Sequence, residues 1–262
     1  MVTAPVWVAV GATGQTASVP LHAGSTYTWT LTGGTITGGQ GSEQITFDAG
    51  IPGTTMMLAV IESNTGCDSP ATSVKIQVDF LDVPPTNIFH DYVDTIARNA
   101  ITVGCGDGTV YCPDDPNTRA QMAVFLLKSK LGSDHVPPPA TGTVFADVHP
   151  GDFAADWIEE LASLGITGGC DPNNYCPDAP VTRGQMAVFL LKTLLGSTYL
   201  PPPATHIFED VPPGYFAIDW IEDLYNRQIT GGCNALPLRY CPDDPNTRAQ
   251  MAVFLTKTFG LQ

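Results

Sequence analysis

Nowhere in its 262 residues does the chain carry an apolar run near the roughly 18–20 residues needed to cross a bilayer. Positive charge is scarce, with 11 Lys and Arg against 26 Asp and Glu, for a net charge of −15. That balance excludes partners bound through phosphate, whether nucleic acid or an anionic membrane surface. Histidine is scarce too. His22, His90, His135, His149 and His206 form no His-x-x-x-His spacing and read as isolated surface residues. The nucleophile elbow, the phosphate loop and the dinucleotide fingerprint are all missing, so nothing points to an enzyme or to a cofactor. Gly106-Asp107-Gly108 is a weak candidate for Ca²⁺ and falls short of the ligand count of a full loop motif. The first five residues lack the basic start and apolar stretch of a secretion signal. The cysteine usage is nevertheless extracellular, so Met1 is expected to begin an expressed fragment of a longer secreted protein.

What the chain does have is repetition. Gln-Met-Ala-Val-Phe-Leu occurs at 121–126, 185–190 and 250–255, each time after Thr-Arg-Ala or Thr-Arg-Gly. The arginines Arg119, Arg183 and Arg248 are 64 and 65 residues apart (183 − 119 and 248 − 183). A fixed period means one structural unit used three times. Three like units side by side make a surface that binds or packs, since an active site needs one unique constellation.

Residues 1–79 differ in kind from the rest. Tyr27, Trp29 and Leu31 alternate with Thr28 and Thr30, as Val74, Ile76 and Val78 do with Lys75, Gln77 and Asp79. Residues 56–61 read as a strand buried on both faces, and glycine pairs punctuate the runs. Short strands with regular turn signals predict an all-β sandwich. The stretch Ser25-Thr26-Tyr27-Thr28-Trp29-Thr30, with Gly66-Cys67 later, resembles the immunoglobulin-like modules of bacterial surface proteins. In such modules a cysteine at that turn pairs near the N-terminus. Here Ala9 stands about where the partner would be, leaving Cys67 free or paired outside the chain.

Residues 80–262 align as repeats over 80–144, 145–207 and 208–262. Each opens on Phe-x-Asp-Val, at Phe80, Phe145 and Phe208. A first helix is expected to bury Phe153, Trp157, Leu161 and Leu164 in copy two, Phe216, Trp220 and Leu224 in copy three, and Ile88, Tyr92 and Ile96 in copy one. Asp82, Asp147 and Asp210 are expected to cap its entry, and Gly165 to close its end. The acid pairs Glu159-Glu160 and Glu222-Asp223 read as its solvated face. A second helix starts at a capping box, Thr118…Gln121, Thr182…Gln185 and Thr247…Gln250, and buries Met122, Phe125 and Leu126. The runs at 136–140 and 200–204, each with three prolines, are stiff spacers. Each repeat also holds two cysteines in one loop: Cys105 and Cys112, Cys170 and Cys176, Cys233 and Cys241, separated by 7, 6 and 8 residues. Such variable spacing favours three local disulfides over zinc.

The order Phe-x-Asp-Val, helix, Gly-Ile-Thr-Gly-Gly (165–169), Tyr-Cys-Pro-Asp, Thr-Arg-Ala-Gln resembles the S-layer homology domain, three times over. The resemblance implies a multidomain chain in which a mainly α, pseudo-threefold bundle of three helix-loop-helix repeats follows the sandwich. It also implies an extracellular, cell-surface location and grooves between repeats that bind cell-envelope polysaccharide. The groove arginine of that family falls on Arg119, Arg183 and Arg248, where a guanidinium would grip an anionic sugar substituent. The alternative is pairing with the loop carboxylates Asp114, Asp178 or Asp243. Trp157, Trp220 and Tyr92 are candidates to stack on a sugar ring, although helical spacing favours core packing. The family's Glu is Gln in all three copies, and the loop cysteines depart from its best-known members. Two further readings stand beside a polysaccharide anchor: a structural subunit that self-associates into a layer or filament, and the C-terminal anchor of a larger secreted enzyme or adhesin.

Overall fold

A computed structural model of the chain describes residues 1–51 and 54–262, which form two compact units, Met1–Cys112 and Pro113–Gln262. The division falls inside repeat 1, between its cysteine loop and its second helix.

In the first unit, eight strands run in chain order as β1 (Trp7–Ala9), β2 (Gln15–Ser18), β3 (Thr26–Thr32), β4 (Thr35–Gly38), β5 (Gln44–Asp48), β6 (Thr55–Asn64), β7 (Cys67–Asp68) and β8 (Thr72–Asp79). One sheet has the order β1-β8-β6-β3, with β7 added to β6, and the other has the order β2-β5-β4. Strand β1 pairs with β8 in parallel, and the remaining pairs are antiparallel. Tyr27, Trp29, Leu58, Ile76 and Val78 from one sheet meet Ala17, Ile45 and Phe47 from the other in a single core. The buried rings keep their polar ends satisfied: Trp29 Nε1 donates to the Ser42 carbonyl and Tyr27 Oη to the Pro20 carbonyl. Strand β6 is buried on one face only, with Met56, Leu58 and Val60 inside and Met57 exposed, and not on both. An antiparallel sheet packed on one side leaves its other side to solvent. Thr65 and Gly66, at φ 48° and 83°, turn β6 into β7 and present Cys67 exposed and unpaired.

After β8 comes α1 (His90–Arg98), which buries Val93, Ile96 and Ala97. Tyr92, on the same helix, is half-buried.

The second unit holds α2 (Arg119–Leu131), α3 (Ala155–Ser163), α4 (Arg183–Leu195), α5 (Ile218–Asn226), the two-residue strands β9 (Asn234–Ala235) and β10 (Leu238–Arg239), and α6 (Arg248–Phe259). Each of α2, α4 and α6 touches the other two, while α3 packs on α2 and α5 on α4. All three long helices start on a complete capping box, at Thr118 with Gln121, Thr182 with Gln185 and Thr247 with Gln250. Their inner faces bury Met122, Met186 and Met251 completely. Just before the helices the backbone closes a ring. Asn117 N donates to Asn246 O, Asn246 N to Val181 O and Val181 N to Asn117 O, at 2.8, 2.8 and 3.0 Å.

Gly165, at φ 69°, follows the C-cap residue Leu164 of α3 and its amide bonds the Ala162 carbonyl, so it does close that helix. Several other sequence expectations are corrected. Phe153 and Phe216 are 69% and 62% exposed, and Ile88 is exposed too. Each lies before its helix, whose first residue is preceded by Ala154, Ala217 or Phe89. The buried face of α3 is Ala155, Ile158 and Leu161, and Leu164 is exposed. Glu159 and Glu222 are not solvated but buried. Glu159 accepts the amides of Thr141 and Gly142, and Glu222 those of Thr205 and Ile207. Asp156 and Asp219 do the same for Ala140 and Ala204. The proline spacers are thereby fastened along α3 and α5. Burial alone would raise the Glu159 carboxyl pKa, yet the bonds from Thr141 and Gly142 hold it below its ordinary value. Glu222 is held low in the same way by Thr205 and Ile207.

Candidate functional site

Three parts recur around each cysteine loop. The first is the disulfide: Cys105–Cys112, Cys170–Cys176 and Cys233–Cys241 are all joined. The second cysteine of each pair adopts a left-handed backbone, at φ 58°, 59° and 56°. That conformation is unfavourable for a residue with a Cβ and must be held from outside. The third part is the holding carboxylate. Asp82 accepts the amides of Tyr111 and Cys112, Asp147 those of Tyr175 and Cys176, and Asp210 those of Tyr240 and Cys241, all at 2.7–2.8 Å. These aspartates therefore brace the loops and do not cap the first helices. Among the described residues, Asp210 with Cys233 and Cys241 is the one grouping close enough to share a metal. Its sulfurs are already bonded to each other, and its carboxylate is spent on two amides. In the loop considered for Ca²⁺, the exposed Asp107 accepts the Thr109 amide and hydroxyl.

The repeated arginines occupy the first helical position of α2, α4 and α6 and are 3%, 5% and 4% exposed. Arg119 Nε donates to the Tyr175 carbonyl at 2.7 Å, and Tyr175 Oη donates back to the Arg119 carbonyl at 2.8 Å. Its guanidinium lies over two rings, 4.7 Å from the centre of Tyr175 and 5.4 Å from that of Phe189. Arg183 repeats the arrangement with Tyr240 and Phe254. The guanidinium of Arg248 lies over Phe125. Neither Arg119 nor Arg183 pairs with Asp178 or Asp243 among the described residues. Burial pulls the Arg119 pKa down, with Tyr175 and Asp147 opposing it. Among the described residues, Nη2 of Arg119 and Nη2 of Arg183 are buried without a hydrogen-bond partner. A cation so placed is under-satisfied.

Arg119 lines a groove of about 380 Å³. Residues 166–170 line it, as do Gln185, Phe189 and Lys192 of α4. Phe216 and Trp220 line it as well. The structure thus brings Arg119 and Trp220 together. Trp220 is half-buried, edge-on to Tyr199 at 6.1 Å, so its ring is partly open rather than a core residue. Trp157 is placed likewise against His135. Gln185 spends its Oε1 on the Thr182 amide, which leaves the donor end of its amide unspent by the cap. The groove therefore offers donors from Arg119, Gln185 and Lys192 and an aromatic face from Trp220, with no carboxylate among its lining residues. Lys192 escaped the sequence reading, although Lys128, Lys192 and Lys257 recur seven residues after the capping glutamines. So did Tyr175 and Tyr240, whose place in Tyr-Cys-Pro-Asp was the available signal.

Comparison with known proteins gives the class. The S-layer homology domain matches residues 144–187, and a PKD-like domain matches residues 1–78. An exoglucanase, XynX, of Acetivibrio thermocellus is 30% identical over 123 residues, and a cell surface protein of Thermoanaerobacter kivui is 29% identical over 126. Each match takes in 47% of this chain but only 11% and 16% of those proteins. Both matched domain types are non-catalytic and point to the cell surface, and disulfides persist where the surroundings oxidise.

Proposed function

We infer that the chain is a cell-envelope anchor whose three repeats, 80–144, 145–207 and 208–262, form one pseudo-threefold bundle that grips an anionic envelope polysaccharide. The ring of amides through Asn117, Val181 and Asn246 supports the bundle. The same contacts also pass cyclically from repeat to repeat. The amide of Ala120 bonds Pro177 O, that of Gly184 bonds Pro242 O, and that of Ala249 bonds Pro113 O. The observation that carries the ligand class is a groove lined by Arg119, Gln185 and Lys192, with Trp220 beside them and no carboxylate. A carboxylate-bearing sugar supplies acceptors for Arg119, Gln185 and Lys192 and a ring face for Trp220. Arg183 and Arg248 hold the same helical position and take the same role. Trp157 and Tyr92 correspond to Trp220.

An anchor also suits the small share of the two relatives that the chain covers, so we read it as the wall-binding part of a larger secreted protein. Co-sedimentation with purified cell-wall sacculi tests the reading. Lys192→Ala and Trp220→Ala, both on side chains that are not fully buried, should each lower the bound fraction while the fold persists. Binding equal to wild type in both variants would refute the groove. Ordered arrays by electron microscopy without any sacculus binding would favour the layer-forming subunit.

A further inference from the structure

A second cleft, of about 320 Å³, opens beside the start of α2 and is separate in its lining from the groove of Arg119. Ala120, Val148, Ile158 and Pro177 form its apolar part, Asp152, Phe153 and Asp178 stand around it, and Asp147, which already accepts two amides, also lines it. Phe153 is an aromatic ring left 69% exposed. Asp178 is exposed as well. Asp152 accepts the His149 amide through Oδ2 at 2.7 Å, which fixes its direction.

The repeat itself shows what this cleft accommodates. The amides of Ala120 and Gly184 make the same bond to the next repeat's loop, to Pro177 O and Pro242 O. In sequence Asp152 corresponds to Tyr215, and Asp178 to Asp243. At the Gly184 position the place is filled from within. The Tyr215 phenol lies against Phe216, with ring centres 4.8 Å apart, and donates its hydroxyl to Asp243 Oδ1 at 2.8 Å. Gly184 makes room for it, since a Cβ there would stand 2.6 Å from the Tyr215 oxygen. One repeat earlier both halves of that arrangement are reversed: the plug is Asp152, and the glycine is Ala120. Pro177 is accordingly half-uncovered, where Pro242 is buried.

We propose that the cleft of Asp152, Phe153 and Asp178 is a second saccharide site, taking an uncharged or amino-bearing pyranose. A hydroxyl-bearing six-membered ring on an aromatic neighbour, donating to the loop aspartate, is the arrangement Tyr215 already displays. Beside Asp178, and apart from Asp147 with its two amides, the open cleft adds the carboxylate of Asp152. Ionised carboxylates only accept, so the ligand must bring at least two donors, which a pyranose has and a phenol lacks. The carboxylates of Asp147, Asp152 and Asp178 also repel an anionic sugar, so this cleft and the Arg119 groove select opposite chemistry.

The test uses the whole chain and ¹H–¹⁵N spectra, with chitobiose as the neutral probe, glucuronic acid as the anionic control and p-cresol as a mimic of a tyrosine side chain. Chitobiose should shift the amides around Ala120, Phe153 and Asp178, with dissociation in the millimolar range, and glucuronic acid should not. Asp178→Asn, an exposed change, should weaken binding about tenfold. The double variant Asp152→Tyr with Ala120→Gly grafts the Tyr215 plug and should abolish the shifts while the remaining spectrum stays folded. The absence of chitobiose shifts, or their survival in the grafted variant, would overturn the proposal. Shifts with p-cresol alone would overturn it in favour of a tyrosine from a protein partner. None of these readouts depends on sacculus binding, so this site and the Arg119 groove succeed or fail separately.

Discussion

Arg119 and Tyr175 are bonded to each other twice, Nε to the tyrosine carbonyl and the tyrosine hydroxyl to the arginine carbonyl. The pair ties the start of α2 in one repeat to the cysteine loop of the next, 56 residues on in sequence. Burial pushes the Tyr175 phenol pKa up, against the pull of Arg119, so the hydroxyl stays protonated and remains a donor. Tyr175→Phe removes that donor and leaves a carbonyl facing an apolar ring. The expected loss is about 1–2 kcal/mol, read as a lower urea midpoint with an unchanged slope. Tyr240→Phe should cost the same, because Tyr240 stands to Arg183 as Tyr175 does to Arg119.

The bracing aspartates give a second prediction. Asp147 accepts two amides, one from a cysteine in a left-handed conformation. Asn keeps one acceptor and points its amide donors at the second N–H. Asp147→Asn should therefore cost about 1.5–3 kcal/mol, in the range of a hydrogen bond to a charged group. A change of stability below about 0.5 kcal/mol, the size usual for a surface substitution, would show that the loop holds itself.

Removal of one disulfide is the third. On the chain-entropy model, closing so short a loop contributes about 2–3 kcal/mol. The double variant Cys170→Ser with Cys176→Ser should lose that much in chemical denaturation. Thiol titration of the denatured, unreduced wild type should find only Cys67.

Acid should loosen the spacers, the fourth prediction. The folded-state pKa values of Glu159 and Glu222 lie below their unfolded values. The stability they contribute is thus complete above the ordinary glutamate range and is lost as pH falls through the depressed folded values. Below pH about 4, the protection of the amides of Thr141, Gly142, Thr205 and Ile207, measured against their intrinsic exchange rates, should fall. In Glu159→Gln the pH dependence at Thr141 and Gly142 should flatten, while Thr205 and Ile207 keep theirs.

The capping boxes were legible in the sequence because each is a contact over three residues between a side chain and its own backbone. The strand alternation at Tyr27 and Trp29 was legible for the same local reason. The burial of Arg119 was not, because it depends on Tyr175 and Phe189, which the chain brings back only after folding. Helical spacing misled at Phe153 and Phe216. The period continues backward past the true helix start, and two residues before the first turn its geometry no longer applies. Glu159 and Glu222 misled similarly: a carboxylate on a polar stripe reads as solvated until a proline spacer lays its amides over it.

The proposed ligand is an anionic sugar held by Arg119 in a donor-lined groove. That assignment is tested most directly by sedimenting the wild-type chain with sacculi whose carboxyl groups have been reduced to alcohols, beside untreated sacculi. Loss of the charged acceptor should weaken binding about tenfold or more, as expected when a charge-assisted hydrogen bond is forfeited in a desolvated site. Equal binding to both preparations would contradict the account.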